Sequence, residues 1–305
     1  MDYTGRVNMT VVTRTAARAE RRGVERSPRY YLGAFVRYAL LIGIGIALIT
    51  PFILAAIGSF KTDAEIIAYP PKFFPEKWLV ENWVKVWNTD VGEGGTFPRW
   101  LFNTAFLSVT IAVLEVIACS MAAYAFARLR FSGRDAVFNF MLGTMMIPGA
   151  VTLIPAFVLM GKLKLLNTYQ SLILPGIVSA GAIFMLTQFF KTIPRDLEEA
   201  ALIDGASQFQ VYKDVILPLA RPALLTVFIL QFQAMWNDFL KPLLYLDAPR
   251  MWVLNVALSV FKQQYKAQWN LILVGAMFNA IPVLVLFFFF SKYYIEGVAY
   301  AGIKG

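Results

Sequence analysis

The chain has 305 residues, of which 58% are hydrophobic and only 15% charged, with a net charge of +9 and no histidine. Soluble domains carry about 25% charged residues, so this much apolar side chain cannot be hidden in one aqueous core. With no His, and with Cys119 as the single cysteine inside an apolar run, neither a catalytic triad nor a metal-ligating set nor a disulfide is predicted.

In chain order, residues 1–37 are an Arg-rich tail with eight arginines and no signal-peptide pattern. Beyond it, six stretches reach the roughly 20 apolar residues that cross a bilayer core about 30 Å thick: 38–60, 101–126, 136–159, 172–190, 223–245 and 271–290. Lipid satisfies no backbone polar group, so these must be helices. The predicted fold is therefore an all-α polytopic membrane protein with six transmembrane helices. Pro51, Pro148, Pro155, Pro175 and Pro282 lie inside spans, where they act either as ordinary kinks or as gating hinges. Arg128, Arg130 and Arg134 follow the second span on the same face as the N-terminal tail, so the positive-inside rule makes both termini cytoplasmic, including residues 291–305. The net charge then calls for anionic lipid and no nucleic acid.

Three connecting segments are too long to be simple links. Residues 61–100 carry Trp78, Trp83, Trp87 and Trp100, which suit either a lid on the outer leaflet or a docking surface for a soluble partner. Residues 247–270 include Gln263, Gln264, Tyr265 and Trp269, candidate contacts for a binding protein or a polar solute. Residues 191–222 read as a helix-turn-helix. Pro194 and the acids Asp196, Glu198 and Glu199 suit a first turn, Gly205 a left-handed stop, and Ser207 the cap of a second short helix. Without a partner, this would be an amphipathic surface helix.

The residues of that segment, "EEAALIDGASQFQVYKDVILPLARPA", resemble the EAA loop of inner-membrane permease subunits of binding-protein-dependent ABC importers. "SMAAYAFARLRFSGRD", "LPGIV", "MWNDFLKPLLYL" and "YYIEGVAYAGIKG" are similar to the carbohydrate-uptake class, so the resemblance covers all but the tail. It implies that Glu199, Ala200, Ala201, Asp204, Gly205 and Ser207 couple to a separate ATPase in the prokaryotic inner membrane. The implied partners are two ATPase subunits, a second homologous permease and an extracytoplasmic solute-binding protein. No GxxxxGK[ST] phosphate loop occurs in this chain, so it binds no cofactor itself, and ATP and Mg belong to the partner ATPase. Candidate pathway residues are Gln188, Gln233 and Asn237, together with Glu115, which departs from the family pattern. The alternative is an ion-coupled transporter or channel using Glu115 and Asp238, against which Asp238 is expected near the outer interface within reach of Lys241.

Overall fold

The computed structural model describes residues 28–264 and 268–302. The chain divides into two units at Leu54. The first is carried by α1, Pro28–Gly58, which begins within the last turns of the predicted tail and has no charge between Tyr38 and its end.

The second unit contains the remaining helices: α2 (Asp63–Ile67), α3 (Glu81–Trp87), α4 (Phe97–Arg128), α5 (Arg134–Thr144), α6 (Gly149–Lys162), α7 (Gln170–Gly176), α8 (Ala180–Thr192), α9 (Asp196–Ile203), α10 (Gln208–Leu219), α11 (Arg221–Trp236), α12 (Leu240–Tyr245), α13 (Leu254–Gln264) and α14 (Trp269–Gly302). Its axis is α4. The buried positions Thr104, Ser108, Ala112, Glu115, Cys119, Ala123 and Ala127 recur every three or four residues, so a single stripe of α4 receives α8 and α11. Most of that stripe is small. In lipid, helices gain no hydrophobic drive toward one another, and close backbone approach over small residues replaces it. Gly176 serves the same end on α7: a Cβ there would stand 2.7 Å from the Ile111 side chain.

Four helices are long and apolar enough to cross a membrane, and counting each of two bent pairs as one span gives six among the described residues. The bends correct two of the predicted spans. The third is not a straight helix: α5 and α6 meet at 99°, where Pro148 disfavours the helical conformation of the residue before it. The fifth starts after a 77° turn between α10 and α11, flanked by Pro218 and Pro222. It ends at Trp236, and the rest of the predicted span holds the separate helix α12. The fourth span is interrupted after Pro175 and Gly176 at 177–179, where the Ser179 hydroxyl accepts from Ala182 N–H and restarts the helix as α8. The predicted C-terminal tail is a helical continuation of α14 as far as Gly302.

At the Phe97 end of α4, part of residues 61–100 packs onto the bundle. Trp100 is fully buried, Trp83 stacks on Phe60 and packs on Phe278, while Trp78 and Trp87 stay largely exposed. Trp100 Nε1 donates to Pro249 O (2.9 Å), and Asn103 Nδ2 donates to Arg250 O and Trp252 O (3.0 and 2.9 Å). Leu254 N–H donates to Thr104 Oγ1 (2.7 Å). From the other side Asn167 Oδ1 accepts from the backbone of Asp247 and Ala248. The segment 247–254 is thus strapped across the bundle by side-chain bonds to its main chain.

Candidate functional site

At the Arg128 end of α4, the predicted helix-turn-helix forms as expected from its residues. Helix α9 carries Asp196, Glu198 and Glu199 in its first turn, where the macrodipole favours negative charge. The helix begins one residue past Arg195, so Pro194 precedes the first turn and does not lie in it. Its end is a Schellman closure: Ala206 N–H donates to Ala201 O (2.9 Å) and Gly205 N–H to Leu202 O (3.1 Å). Gly205 sits at φ +87°, a left-handed conformation, with open space where a Cβ would stand. Ser207 then starts α10 through a reciprocal capping box with Gln210. The middle of α10, Val211–Ile216, is wound as a π-helix, and it buries Val211, Tyr212 and Ile216 against α4 and α8.

Polar contacts fix this module to the transmembrane bundle. The Arg128 side chain is 4% exposed. It donates through Nη2 to Phe190 O (2.5 Å), which also accepts from Ile193 N–H, and to Ile193 O (2.6 Å) at the C-cap of α8. Its Nε lies 2.7 Å from Glu198 Oε1, off the hydrogen-bonding direction, so that contact is an ion pair and not a directed bond. One side chain of α4 thereby holds both α8 and α9. Burial pushes the Glu198 carboxyl above the ordinary carboxylate range, and the nearby Arg128 and Arg195 charges only partly offset it. Farther along α10, Tyr124 Oη donates to Gln208 Oε1 (2.9 Å), and the Ser120 and Tyr212 hydroxyls lie 2.8 Å apart with no other group between them.

The opposite surface of the module is open. Glu199, Ala200, Asp204, Gly205 and Ser207 are exposed together, beside Leu202, Phe209 and Ile203, the last 85% exposed. Ala201 differs from them by turning inward with Ala206 onto the buried cluster. The sequence reading missed the docking side: Arg128, Glu198, Tyr124, Gln208, Ser120 and Tyr212. One signal for it is present, since Glu198 stands three residues before Ala201 on the same helical face.

The other candidate residues are dispersed. Glu115 is 2% exposed, on the buried stripe of α4. Gln188 is exposed on α8, and Gln233 and Asn237 are exposed at the end of α11, where Asn237 Nδ2 donates to Gln233 O (2.9 Å). Asp238 Oδ2 lies 3.9 Å from Lys241 Nζ across the gap between α11 and α12. Trp269 is half-exposed, and its N–H donates to Asp63 Oδ1 (2.6 Å). Gln263 and Gln264 close α13, while Tyr265 lies outside the described residues.

Residues 115–298 match the family described as the binding-protein-dependent transport system inner membrane component. The chain belongs to this family. It is a multi-pass inner-membrane permease subunit of an ABC importer, similar over 87% of its length to an arabinooligosaccharides transport system permease protein of Halalkalibacterium halodurans (33% identity, 96% of that protein). A diacetylchitobiose uptake system permease protein of Streptomyces coelicolor shares 31% identity over 85% of each chain. Among solved structures, a bacterial ABC transporter involved in the import of the acidic polysaccharide alginate matches with a TM-score of 0.75 and 26% identity, covering 88% of this permease and 99% of that chain. The matched region takes in the whole α9–α10 module and the buried stripe of α4 from Glu115 onward. Family membership replaces the ion-coupled alternative.

Proposed function

We propose that this permease forms half of the translocation pathway for a sugar or related polar solute, and that the α9–α10 module receives the motion of a separate ATPase. The observation that carries this reading is the two-sidedness of the module: one face is fixed to α4 and α8 by Arg128, Tyr124 and Ser120, and the other presents Glu199, Ala200, Ile203 and Phe209 to a partner. A helix pair so mounted transmits displacement into the bundle as a rigid lever.

Two ATPase subunits hold the ATP and Mg, and this chain binds no cofactor. A second permease of like fold supplies the other half of the pathway, and an extracytoplasmic binding protein delivers solute to the Phe97 end. The Arg-rich tail, the α9–α10 module and the end of α14 then lie on the cytoplasmic side. The uptake of arabinooligosaccharides and diacetylchitobiose named for two relatives supports a carbohydrate as cargo. The test is ATP hydrolysis by the complex reconstituted in vesicles against a panel of binding-protein-delivered sugars, amino acids and metal ions. Stimulation by one or more sugars is expected; stimulation by an amino acid or a metal ion alone overturns the carbohydrate reading.

A further inference from the structure

The interruption after α11 opens a pocket of about 490 Å³ between residues 237–239, α13 and α14, within the usual size of a small-molecule site. Its polar lining is Asn237, Asn255 and Ser259, its apolar lining includes Phe239, Leu258 and Ile272, and none of its described lining residues is charged. The hydrogen bonds these three polar groups already make determine what they can still offer.

Asn237 Nδ2 donates to Gln233 O (2.9 Å), and Asn255 Nδ2 donates to Trp236 O (3.1 Å). A backbone carbonyl can only accept, so each amide uses one of its two N–H donors on the protein and keeps the other together with its oxygen. Ser259 Oγ likewise spends its proton on Val256 O (2.7 Å). What remains is two amide N–H donors, two amide oxygens and the lone pairs of one hydroxyl. The Asn255 carbonyl partner is itself held in place, because the Trp236 ring donates through Nε1 to Asn279 O (3.0 Å).

We propose that this pocket is a solute subsite that takes a neutral, hydroxyl-rich sugar unit and disfavours carboxylated or phosphorylated ones. Sugar hydroxyls, which both donate and accept, pair with these oxygens and N–H groups while the C–H faces of the ring lie on Phe239, Leu258 and Ile272. Two amide N–H groups are too few to replace the hydration of a carboxylate or phosphate, and no described lining cation compensates for its lost water. Asp238, next in the chain to Asn237, adds negative charge nearby, with Lys241 3.9 Å from it. The pocket lies at the Trp236 end of α11, so in the proposed orientation it meets solute soon after release from the binding protein.

This inference rests on the reading of the chain as half of a sugar pathway, and the experiment separates the two. The complete reconstituted transporter is given three probes, a neutral arabinotriose, a uronic-acid trisaccharide and glycerol phosphate, with binding-protein affinity for each measured in parallel. Wild-type complex should take up the neutral probe in preference to both anions by more than its binding protein's own preference. Asn237→Ala combined with Ser259→Ala removes two acceptors without touching a bond that another element needs. It should lower uptake of the neutral probe about tenfold, with subunit assembly, basal ATP hydrolysis and binding-protein affinity unchanged. Ser259→Lys should raise the relative uptake of the uronate probe. Equal uptake of the neutral probe by wild type and the assembled double variant overturns the subsite, as does a wild-type preference for an anion. If wild type takes up none of the probes and no sugar stimulates hydrolysis, the sugar-pathway reading itself fails and the subsite falls with it.

Discussion

Arg128 and Glu198 look in the sequence like two ordinary loop charges, one orienting the second span and the other decorating a helix start. Folding places both out of water, where pairing rarely recovers the full cost of desolvation. The raised proton affinity of Glu198 shows which side prevails. The folded state then binds this proton more tightly than the unfolded chain, so the folded state loses stability as pH rises from the ordinary glutamate range through the higher folded value toward neutrality. Glu198→Gln should accordingly leave the complex as stable as wild type at pH 7, or slightly more stable, and flatten that part of its pH dependence. Arg128→Leu is expected to cost about 3–5 kcal/mol, since it orphans a buried carboxylate as well as the Ile193 carbonyl. Thermal melting of the complex in each variant across pH 5 to 8, as an order-of-magnitude window for a shifted carboxylate, checks both expectations. A Gln variant melting far below wild type at neutral pH would refute the assigned balance.

Helix α9 shows what was legible at the level of an element. Its start, its Gly205 stop and the Ser207 cap of α10 are local chemistry, and local chemistry is written in consecutive residues. Which face docks is a tertiary choice, and the adjacent acids Glu198 and Glu199 carry no mark that one is buried and the other exposed. The same division explains the spans. The long apolar runs of α1, α4 and α14 announce themselves by length, whereas the 99° turn at Pro148 and the early end of α11 depend on what the freed backbone meets in space. Similarly, Asn237 and Gln233 have the spacing for a side-chain pair, but the bond formed is from amide to backbone. Because no atom lies within 4 Å of a Cβ placed on Gly205, substitution there tests conformation without steric clash. Gly205→Asn, which tolerates positive φ, should retain ATPase association in a pull-down. Gly205→Val should incur about 1–3 kcal/mol of backbone strain and lose association while still inserting and pairing with the second permease. Equal ATPase recovery from the two variants would show that the turn does not shape the docking face.

At the scale of the whole permease, the proposed orientation predicts that a membrane-impermeant thiol reagent labels a cysteine introduced at Glu93 in right-side-out vesicles and spares one introduced at Ile203, in a background with Cys119 replaced by Ala. Glu93 lies at the tip of the turn closed by the Asp90–Thr96 bridge, and Ile203 is among the most exposed side chains of α9, so each site offers an accessible target. Labelling at Ile203 with none at Glu93 would invert the topology. The strap at the Phe97 end has a further consequence for how such permeases diversify. Trp100, Asn103, Thr104 and Asn167 grip the main chain of 247–254, reading carbonyls and N–H groups whose chemistry is common to nearly every amino acid. The exposed side chains of Asp247 and Arg250 are therefore free to drift without loosening the anchor, whereas proline at 247, 248 or 254 would delete a required donor. The strap behaves as a cassette with fixed attachment points and variable lettering, a form in which the mouth of a transporter can be rewritten, by selection or by grafting, while the bundle beneath keeps its packing.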